Sequence, residues 1–428
     1  MVGVSITLFV KLPKPSNKKV VRYFSTLDNK LITSADKLDF LENTKFKKVK
    51  WETLKPVEPY YWFVDKDFSL QNKYNKFWKL TNIFGNYNIG IITKKDEFVI
   101  QYNKKQLENI VNDFKDFSIE QIKTKHKIKD AKGWTVKKAQ ESLESVNFNK
   151  KFIKPIQYRP FDNRFTFLHD KTGFLARPTY NTMRHFEKEN LGLCFARNID
   201  KDNFLDVFIS SKPIDLHFIG GGHYLAPLYL YQNGDVFNGA SKTPNFTTEF
   251  NAFLKTLDFK PKPEKILAYI YAILHSPIYR KKYIEFLKTD FPAIPFTKNK
   301  IVFEKYVKIG QKLIDLHLLE NVPEDKTIKI NNIPENDFII DKITHTDNRL
   351  LLQAIEHRII SIEGITKEIY DFEIGSYKPI DKWLKYRKKD SVPLNSKDLK
   401  HLKEMSIAIK NTISAMREIE NFGEEYLA

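Results

Sequence analysis

The chain of 428 residues contains a single cysteine, Cys194. One thiol excludes an internal disulfide framework and a thiolate zinc site, and it is typical of a protein in a reducing compartment. No stretch approaches the roughly 18 uninterrupted apolar residues of a membrane-spanning helix. The first ten residues also lack the basic start and the small-residue cleavage site of a secretory signal. We therefore expect a cytoplasmic protein that has no membrane partner.

Common signatures of catalytic sites are also missing from the sequence. There is no GxxxxGKS/T phosphate loop, no HExxH zinc motif and no Asn/Asp-Pro-Pro-Tyr/Phe turn of the kind that holds a flipped adenine for methylation. Cys194 lies between Leu193 and Phe195, a pattern typical of a core strand rather than of a reactive thiol. We predict no catalytic, cofactor-binding or metal-binding residue in this chain, and no catalysis by the chain alone.

What the sequence has in excess is positive charge. It carries 71 Lys and Arg against 53 Asp and Glu, a net charge of +18, and its pI is about 9.4. Such a charge raises the local concentration of polyanions and favours nucleic acid as a partner. The abundance of lysine, asparagine, isoleucine and phenylalanine is also typical of AT-rich genomes, so charge by itself leaves both explanations open.

Arginine is distributed unevenly along the chain. Five of the eleven arginines lie within residues 159–197. The planar guanidinium pairs bidentately with phosphate or with O6 and N7 of guanine, so arginine retained in a lysine-rich chain indicates a need for that geometry. The alternative is a buried network of structural ion pairs.

Apolar periodicity predicts an α+β fold. Short apolar runs separated by Pro, Gly, Asn and Asp make residues 150–235 β-rich, and residues 2–10 and 20–24 read as a β-hairpin. Helical spacing predicts a short helix at 33–43 and an amphipathic helix around 107–114. Further helical segments are expected at about 262–320, interrupted at Pro277, and at 395–422, where one long C-terminal helix packs against other helices.

A series of short motifs follows in a fixed order. Tyr-Arg-Pro-Phe-Asp-Asn-Arg at 158–164 precedes Arg-Pro at 177–178 and Met-Arg-His at 183–185. Tyr-Leu-Ala-Pro-Leu-Tyr-Leu-Tyr follows at 224–231, Ala-Tyr-Ile-Tyr-Ala-Ile-Leu-His-Ser-Pro at 268–277 and Asp-Lys-Trp-Leu-Lys at 381–385. This ordered set resembles the C-terminal specificity region of type ISP restriction–modification enzymes. The likeness extends upstream to residues 2–6 and so covers essentially the whole chain.

The resemblance implies a DNA-binding specificity module. Enzymes of this family join a nuclease, a helicase-like ATPase, an adenine-N6 methyltransferase and a target-recognition domain in one polypeptide. It implies that residues 1–59 are the closing strands of an incomplete α/β methyltransferase sheet and that residues 60–428 are the target-recognition domain. S-adenosylmethionine, ATP and Mg²⁺ would belong to the missing domains only. One departure is Lys94-Lys95-Asp96, where relatives usually place Asn-Arg before the aspartate, so an arginine contact there is in doubt.

Candidate DNA contacts come from two basic segments. We expect the β-rich region and the C-terminal basic segment to grip opposite flanks of a short duplex, the latter by phosphate contacts that set register. Tyr158, Pro160, Phe161 and Trp383 are expected to pack rather than read bases, and Asp162 to orient Arg164 or Arg159. The candidate DNA-binding residues are Arg159, Arg164, Arg177, Arg184, Arg197, Lys212, Lys382, Lys385, Arg387, Lys388 and Lys389.

Two alternatives remain open at this point. The chain could be the specificity half of a split adenine-specific DNA methyltransferase that acts in trans with a separate catalytic subunit. It could also be a decayed remnant that folds without a biological partner. In the first case, S-adenosylmethionine would bind only when the catalytic subunit is present.

Overall fold

The computed structural model describes residues 6–11, 13, 20–58, 61–199, 205–232, 241–334 and 337–427. The chain divides into two compact units, residues 1–71 and residues 72–428. With 39% of residues in helices and 20% in strands, in small antiparallel sheets, the fold is α+β as predicted. Across the described ranges, no helix is both long and apolar enough to cross a membrane.

The strands are short, and all of their pairings are antiparallel. They are β1 (Val21–Tyr23), β2 (Glu52–Leu54), β3 (Trp78–Lys79), β4 (Asn88–Ile89), β5 (Ile100–Gln101), β6 (Ile153–Arg159), β7 (Asp162–Phe167), β8 (Gly192–Ala196), β9 (Val207–Ser210), β10 (His223–Pro227), β11 (Tyr229–Tyr231), β12 (Lys242–Pro244), β13 (Ala293–Ile294), β14 (Lys329–Asn331), β15 (Ile340–Thr346), β16 (Arg349–Ala354) and β17 (Ile359–Glu363).

The helices range from single turns to a helix of 25 residues at the C-terminal end. They are α1 (Ser34–Asn43), α2 (Gln71–Tyr74), α3 (Leu80–Ile83), α4 (Asp96–Val99), α5 (Lys104–Asp116), α6 (Ile119–His126), α7 (Val136–Glu144), α8 (Tyr180–Met183), α9 (Thr248–Leu254), α10 (Pro263–His275), α11 (Pro277–Lys282), α12 (Ile284–Leu287), α13 (Lys300–Leu318), α14 (Lys367–Tyr370), α15 (Pro379–Lys389) and α16 (Ser396–Glu420), with 3₁₀ turns at Phe46–Lys48, Lys150–Phe152, Arg184–Phe186 and Glu425–Leu427.

The first unit contains one confirmed and one wrong prediction. The short helix predicted at 33–43 is confirmed as α1, which begins at a capping box: Thr33 accepts from the Asp36 amide and Asp36 accepts from the Thr33 amide. The predicted hairpin of residues 2–10 with 20–24 is wrong in its described part: residues 6–10 form no strand, and β1 pairs with β2 instead. An alternating segment forms a strand only where a second layer covers its apolar side, and Ile6 and Phe9 are more than 80% exposed here.

In the second unit, the β-rich region is confirmed. One sheet has four strands in the order β4-β10-β8-β9, and another has three strands in the order β5-β7-β6. Every residue of β8 is buried. Cys194, in the middle of β8, is fully buried, and burial raises the pKa of its thiol. The prediction that this residue belongs to the core is therefore confirmed.

Three predicted helical segments form the core of the C-terminal half. The helical segment is interrupted at Pro277 as expected, because α10 ends at His275 and α11 begins at Pro277. Helix α13 lies so close to α10 that a Cβ on Gly310 would be 1.8 Å from the carbonyl oxygen of Ala268. Helix α16 packs on α13, where His317 Nε2 lies 2.9 Å from Thr412 Oγ1. The long helix therefore packs against other helices, as predicted.

A sheet in order β14-β17-β16-β15 follows α13 and was not predicted. The hairpin β15–β16 closes through Asp347 and Asn348, with Asp347 at φ 48°. A two-residue Asp-Asn loop between runs rich in isoleucine and leucine is a hairpin signal in the sequence. Strands β16 and β17 alternate between fully buried and more accessible residues, which is typical of a sheet with one face packed on the core.

Candidate nucleic-acid interface

The motif at 158–164 forms the β6–β7 hairpin. Pro160 and Phe161 are the two-residue turn, and Phe161 adopts φ 62°, a conformation that usually favours glycine or asparagine. Packing holds it there: its carbonyl accepts a hydrogen bond of 2.7 Å from His401 Nε2, and its ring lies 5.2 Å from that of Phe208. The predicted packing role of this turn is confirmed by the burial of Phe161, which is 2% exposed.

Arg159 points into the interior from the end of β6. Its Nη1 donates to Asp215 Oδ1 at 2.6 Å and to the carbonyl of Tyr158 at 2.6 Å. Its guanidinium also lies 3.8 Å from the centre of the Tyr158 ring. Burial is the largest single influence and disfavours the charged form, but Asp215, Tyr158 and Tyr386 together outweigh it, and the pKa of Arg159 is raised. The residue is therefore a buried cation with a fixed partner.

Asp162 joins two further arginines. It is 0% exposed, and its Oδ2 accepts from Arg164 Nε at 3.1 Å and from Nη2 at 2.9 Å. Asp162 Oδ1 lies 3.6 Å from Arg387 Nη1, which comes from α15. The prediction that Asp162 orients Arg164 is confirmed. The pairing with Arg387 links the hairpin to a helix more than 200 positions later in the sequence.

Aromatic rings alternate with these three guanidinium groups. Going through the interior, the guanidinium-to-ring distances are 3.4 Å (Arg387 to Trp383), 5.4 Å (Arg387 to Tyr102), 3.9 Å (Arg164 to Tyr102), 4.2 Å (Arg164 to Tyr158) and 3.8 Å (Arg159 to Tyr158). Each distance is within the range of a favourable cation–π contact. We call these six residues the arginine–aromatic stack: Trp383, Arg387, Tyr102, Arg164, Tyr158 and Arg159.

Three other candidate arginines lie nearer the surface. Arg177 is exposed, and its backbone is fixed by two hydrogen bonds of 2.9 Å with Ile92. Its side chain makes no ion pair or side-chain hydrogen bond that involves another described residue. Arg184 is half-buried in a 3₁₀ turn after α8. Arg197 is 64% exposed, with its Nε 3.6 Å from Asp290 Oδ1.

Lys212 follows β9 and is half-buried. Ser210 Oγ accepts from its amide at 3.0 Å and donates to its carbonyl at 2.7 Å, which fixes the backbone. Burial lowers the pKa of the Lys212 ammonium.

Helix α15 has two faces of different chemistry. The buried face includes Trp383 and Arg387. Exposed lysines recur at spacings of three and four residues, which places them on one side of the helix. These lysines are Lys382, Lys385 and Lys389, and Lys388 is exposed next to them.

Two lysines of α15 have partners within the protein. Lys385 Nζ lies 2.9 Å from Asp381 Oδ2, and Lys388 Nζ donates to a backbone carbonyl of β15. Within the described part of the chain, the ammonium groups of Lys382 and Lys389 have no ion-pair or hydrogen-bond partner. These two cations are therefore available to a ligand.

The candidate residues thus separate by environment. Arg159, Arg164 and Arg387 come together in the buried ion-pair network that the sequence allowed as the alternative, and DNA contact by them stays a prediction without support from their geometry. The other eight candidates are exposed or half-buried and are spread over the β-rich region and α15. No group of three or more His, Cys, Asp or Glu side chains in the described ranges is placed to hold a metal ion.

Sequence reasoning missed several members of the network. Tyr102, Asp215 and Tyr386 contact the arginines but were not identified, and neither was His401, which stacks on Trp383 with ring centres 5.5 Å apart. Each lies far from its partner in sequence. A single sequence carries no signal for such long-range pairs.

Comparison with known proteins identifies a family for most of the chain. The type ISP C-terminal specificity domain matches residues 82–418. The fold is similar to that of a nuclease-deletion mutant of the type ISP restriction–modification enzyme LlaGI in complex with a DNA substrate mimic, with a TM-score of 0.67 and 22% identity over 95% of this chain and 39% of that one.

Two further structures show the same likeness. The ATP-dependent type ISP enzyme LlaBIII bound to DNA has a TM-score of 0.67 and 21% identity, over 86% of this chain and 25% of that one. The DrdV–DNA complex has a TM-score of 0.68 and 20% identity, over 90% of this chain and 42% of that one. The chain therefore spans less than half the length of these proteins. None of the curated protein sequences matches it.

Proposed function

Because the chain belongs to the type ISP C-terminal specificity-domain family, we propose that it recognises a specific sequence in double-stranded DNA. Adenine-N6 methylation and ATP-dependent restriction are assigned in this proposal to other domains, which act at the site that this chain selects. S-adenosylmethionine, ATP and Mg²⁺ would bind to those domains. The chain itself contributes binding energy and sequence discrimination.

The proposal rests on one observation: several exposed cations have no partner among the described residues, and the backbone that carries them is held in place. Arg177 is fixed by its pairing with Ile92, and Lys382 and Lys389 project from the exposed side of α15. A cation that has no protein partner can pair with phosphate or with a base edge without breaking an internal ion pair, and a fixed backbone adds no further cost in backbone entropy. The net charge of +18 draws the duplex to this surface.

The first unit supports a role in joining this module to a catalytic domain. None of its described residues is buried, and Ile6, Leu8, Leu27 and Leu41 are each more than two-thirds exposed. Apolar side chains exposed in such number mark a surface that a second body covers. We propose that residues 1–59 complete the methyltransferase sheet and that residues 60–428 form the target-recognition domain.

Selection from a pool of random DNA duplexes tests the proposal. The full chain should enrich one short sequence, and its affinity for that duplex should fall as salt rises. Arg177→Ala should lower the slope of log affinity against log salt by about one if the arginine contacts phosphate, or relax the preference at one position if it contacts a base. Arg417→Ala, an exposed arginine outside the candidate set, is the control and should change neither. A full chain that enriches no sequence would refute the proposal.

A further inference from the structure

We propose that the arginine–aromatic stack is a positioning device, which fixes the exposed lysines of α15 relative to the β6–β7 hairpin so that Arg387 and Asp162 govern sequence preference without touching DNA. This role rests on the DNA recognition proposed above. Arg387 and Asp162 are thus positioning residues, and the DNA contacts belong to the exposed side chains that they hold in place.

The stack joins three segments that are distant in sequence. Tyr102 follows β5, Tyr158 and Arg164 belong to the hairpin, and Arg387 belongs to α15. Arg164 lies between two rings, 3.9 Å from Tyr102 and 4.2 Å from Tyr158. A planar guanidinium held between two rings cannot shift sideways without losing contact with both of them. The stack therefore fixes the orientation as well as the separation of the segments.

Carboxylates of the same chain form ion pairs with the three arginines of the stack. Arg159 has Asp215 at 2.6 Å, Arg164 has Asp162 at 2.9 Å, and Arg387 has Asp162 at 3.6 Å. The three arginine side chains are only 6–9% exposed. Two further carboxylates lie near, Asp96 at 3.8 Å from Arg159 and Asp398 at 3.9 Å from Arg387. Each arginine therefore has a carboxylate partner inside the protein and lacks the access that a phosphate contact requires.

Helix α15 transmits this constraint to the surface. Arg387 on the buried face lies two positions from both Lys385 and Lys389 on the exposed face. A group at the surface of a helix is about 5 Å from the axis, so a rotation of only 10° displaces it by about 1 Å. A hydrogen bond loses most of its strength over such a displacement. The contact between Arg387 and Asp162 opposes that rotation.

Two substitutions on the same helix separate positioning from contact. Arg387→Met removes a charge from the buried face and keeps a long side chain, whereas Lys389→Met removes the same charge from the exposed face. With the full chain and the duplex that wild type selects, Arg387→Met should reduce discrimination against a scrambled duplex by about tenfold, the size of one base contact, because the phosphate contacts no longer hold one register. The salt slope should stay unchanged, because it depends on the number of cations near the phosphates and a shift of about 1 Å removes none of them. Lys389→Met should lower the salt slope by about one and keep the discrimination.

Hydrogen exchange without DNA gives a readout that does not depend on binding. Arg387→Met should accelerate amide exchange in α15, because the helix loses the contact of Arg387 with Asp162 of the hairpin, whereas Lys389→Met should leave exchange there unchanged. If Arg387→Met fails to fold, Arg387→Lys takes its place: it keeps a charge near Asp162 but cannot stack on Trp383, and it should show both effects in weaker form.

The outcomes are distinct. Wild-type discrimination combined with unchanged exchange in an Arg387 variant overturns the inference. A lower salt slope in that variant also overturns it, because Arg387 would then contact phosphate directly. If wild type itself discriminates between no duplexes, the proposed function fails, and the exchange of α15 still reports whether the stack fixes the helix.

Discussion

Asp162→Asn should destabilise the protein far more than the loss of one ion pair at the surface. Asp162 is 0% exposed and accepts two hydrogen bonds from Arg164, at 2.9 and 3.1 Å, while facing Arg387 at 3.6 Å. Removing one partner of a buried ion pair costs about 3–5 kcal/mol, because it leaves a buried charge without compensation. An asparagine oxygen can still accept from Arg164, so we expect about 3 kcal/mol, at the lower end of this range.

Urea denaturation of the wild type and of the Asp162→Asn variant, followed by circular dichroism, measures the difference in their free energies of unfolding. Glu304→Gln is the matched control: its pair with Lys265 is shorter, at 2.7 Å, but the two side chains are 39% and 45% exposed. Surface pairs contribute about 0–1 kcal/mol. If Asp162→Asn costs no more than Glu304→Gln, burial does not give the Asp162 pairs their strength, and the reasoning is refuted.

Two further predictions concern the helical core. Gly310→Ala would place a Cβ 1.8 Å from a backbone oxygen of α10, so we expect a loss of about 2 kcal/mol or more in unfolding free energy, exceeding the roughly 1 kcal/mol gained by removing glycine from a helix. Gly221→Ala, whose Cβ would have its nearest neighbour at 3.9 Å, should stay within about 0.5 kcal/mol, and equal effects would contradict the close approach of α10 and α13. Burial lowers the pKa of His275 to about 3 and the pKa of His317 well below its ordinary value. Both side chains are therefore neutral in the folded protein, whereas in the unfolded chain they take up protons near pH 6.5. Stability should be complete above pH 7 and fall below pH 6.5 by about 1.4 kcal/mol per pH unit for each histidine, and stability that stays constant in urea titrations between pH 6.5 and 5.5 would contradict this.

Local features of the fold were predictable because they depend on residues close together in sequence. Thr33 and Asn395 begin α1 and α16 through capping boxes that involve the third helical residue. The pairing of Asp162 with Arg164 is local too, since residues two apart on a strand point to the same face of the sheet. A pattern of this kind can be read from a single sequence.

Long-range features were not predictable in the same way. The hairpin predicted for residues 2–10 and 20–24 is wrong over the described residues 6–10, since β1 pairs with β2, some thirty residues later. The contact of Arg387 with Asp162 spans more than 200 positions, so Arg387 was interpreted together with the neighbouring lysines as a phosphate contact of a basic segment. Arginine count and charge selected these segments as candidates for DNA contact, which stays a prediction. Burial decided which of their cations face inward, and that depends on tertiary packing.

Labelling of the thiol of Cys194 reports unfolding of the chain without an added probe. The thiol is fully buried in β8 between strands of a four-stranded sheet, and burial raises its pKa. Reagents such as dithiobisnitrobenzoate attack the thiolate, so they react only when this sheet opens. The rate of labelling therefore measures opening of the sheet directly. A fluorophore on an introduced surface cysteine would also be attached at one position only in the folded protein.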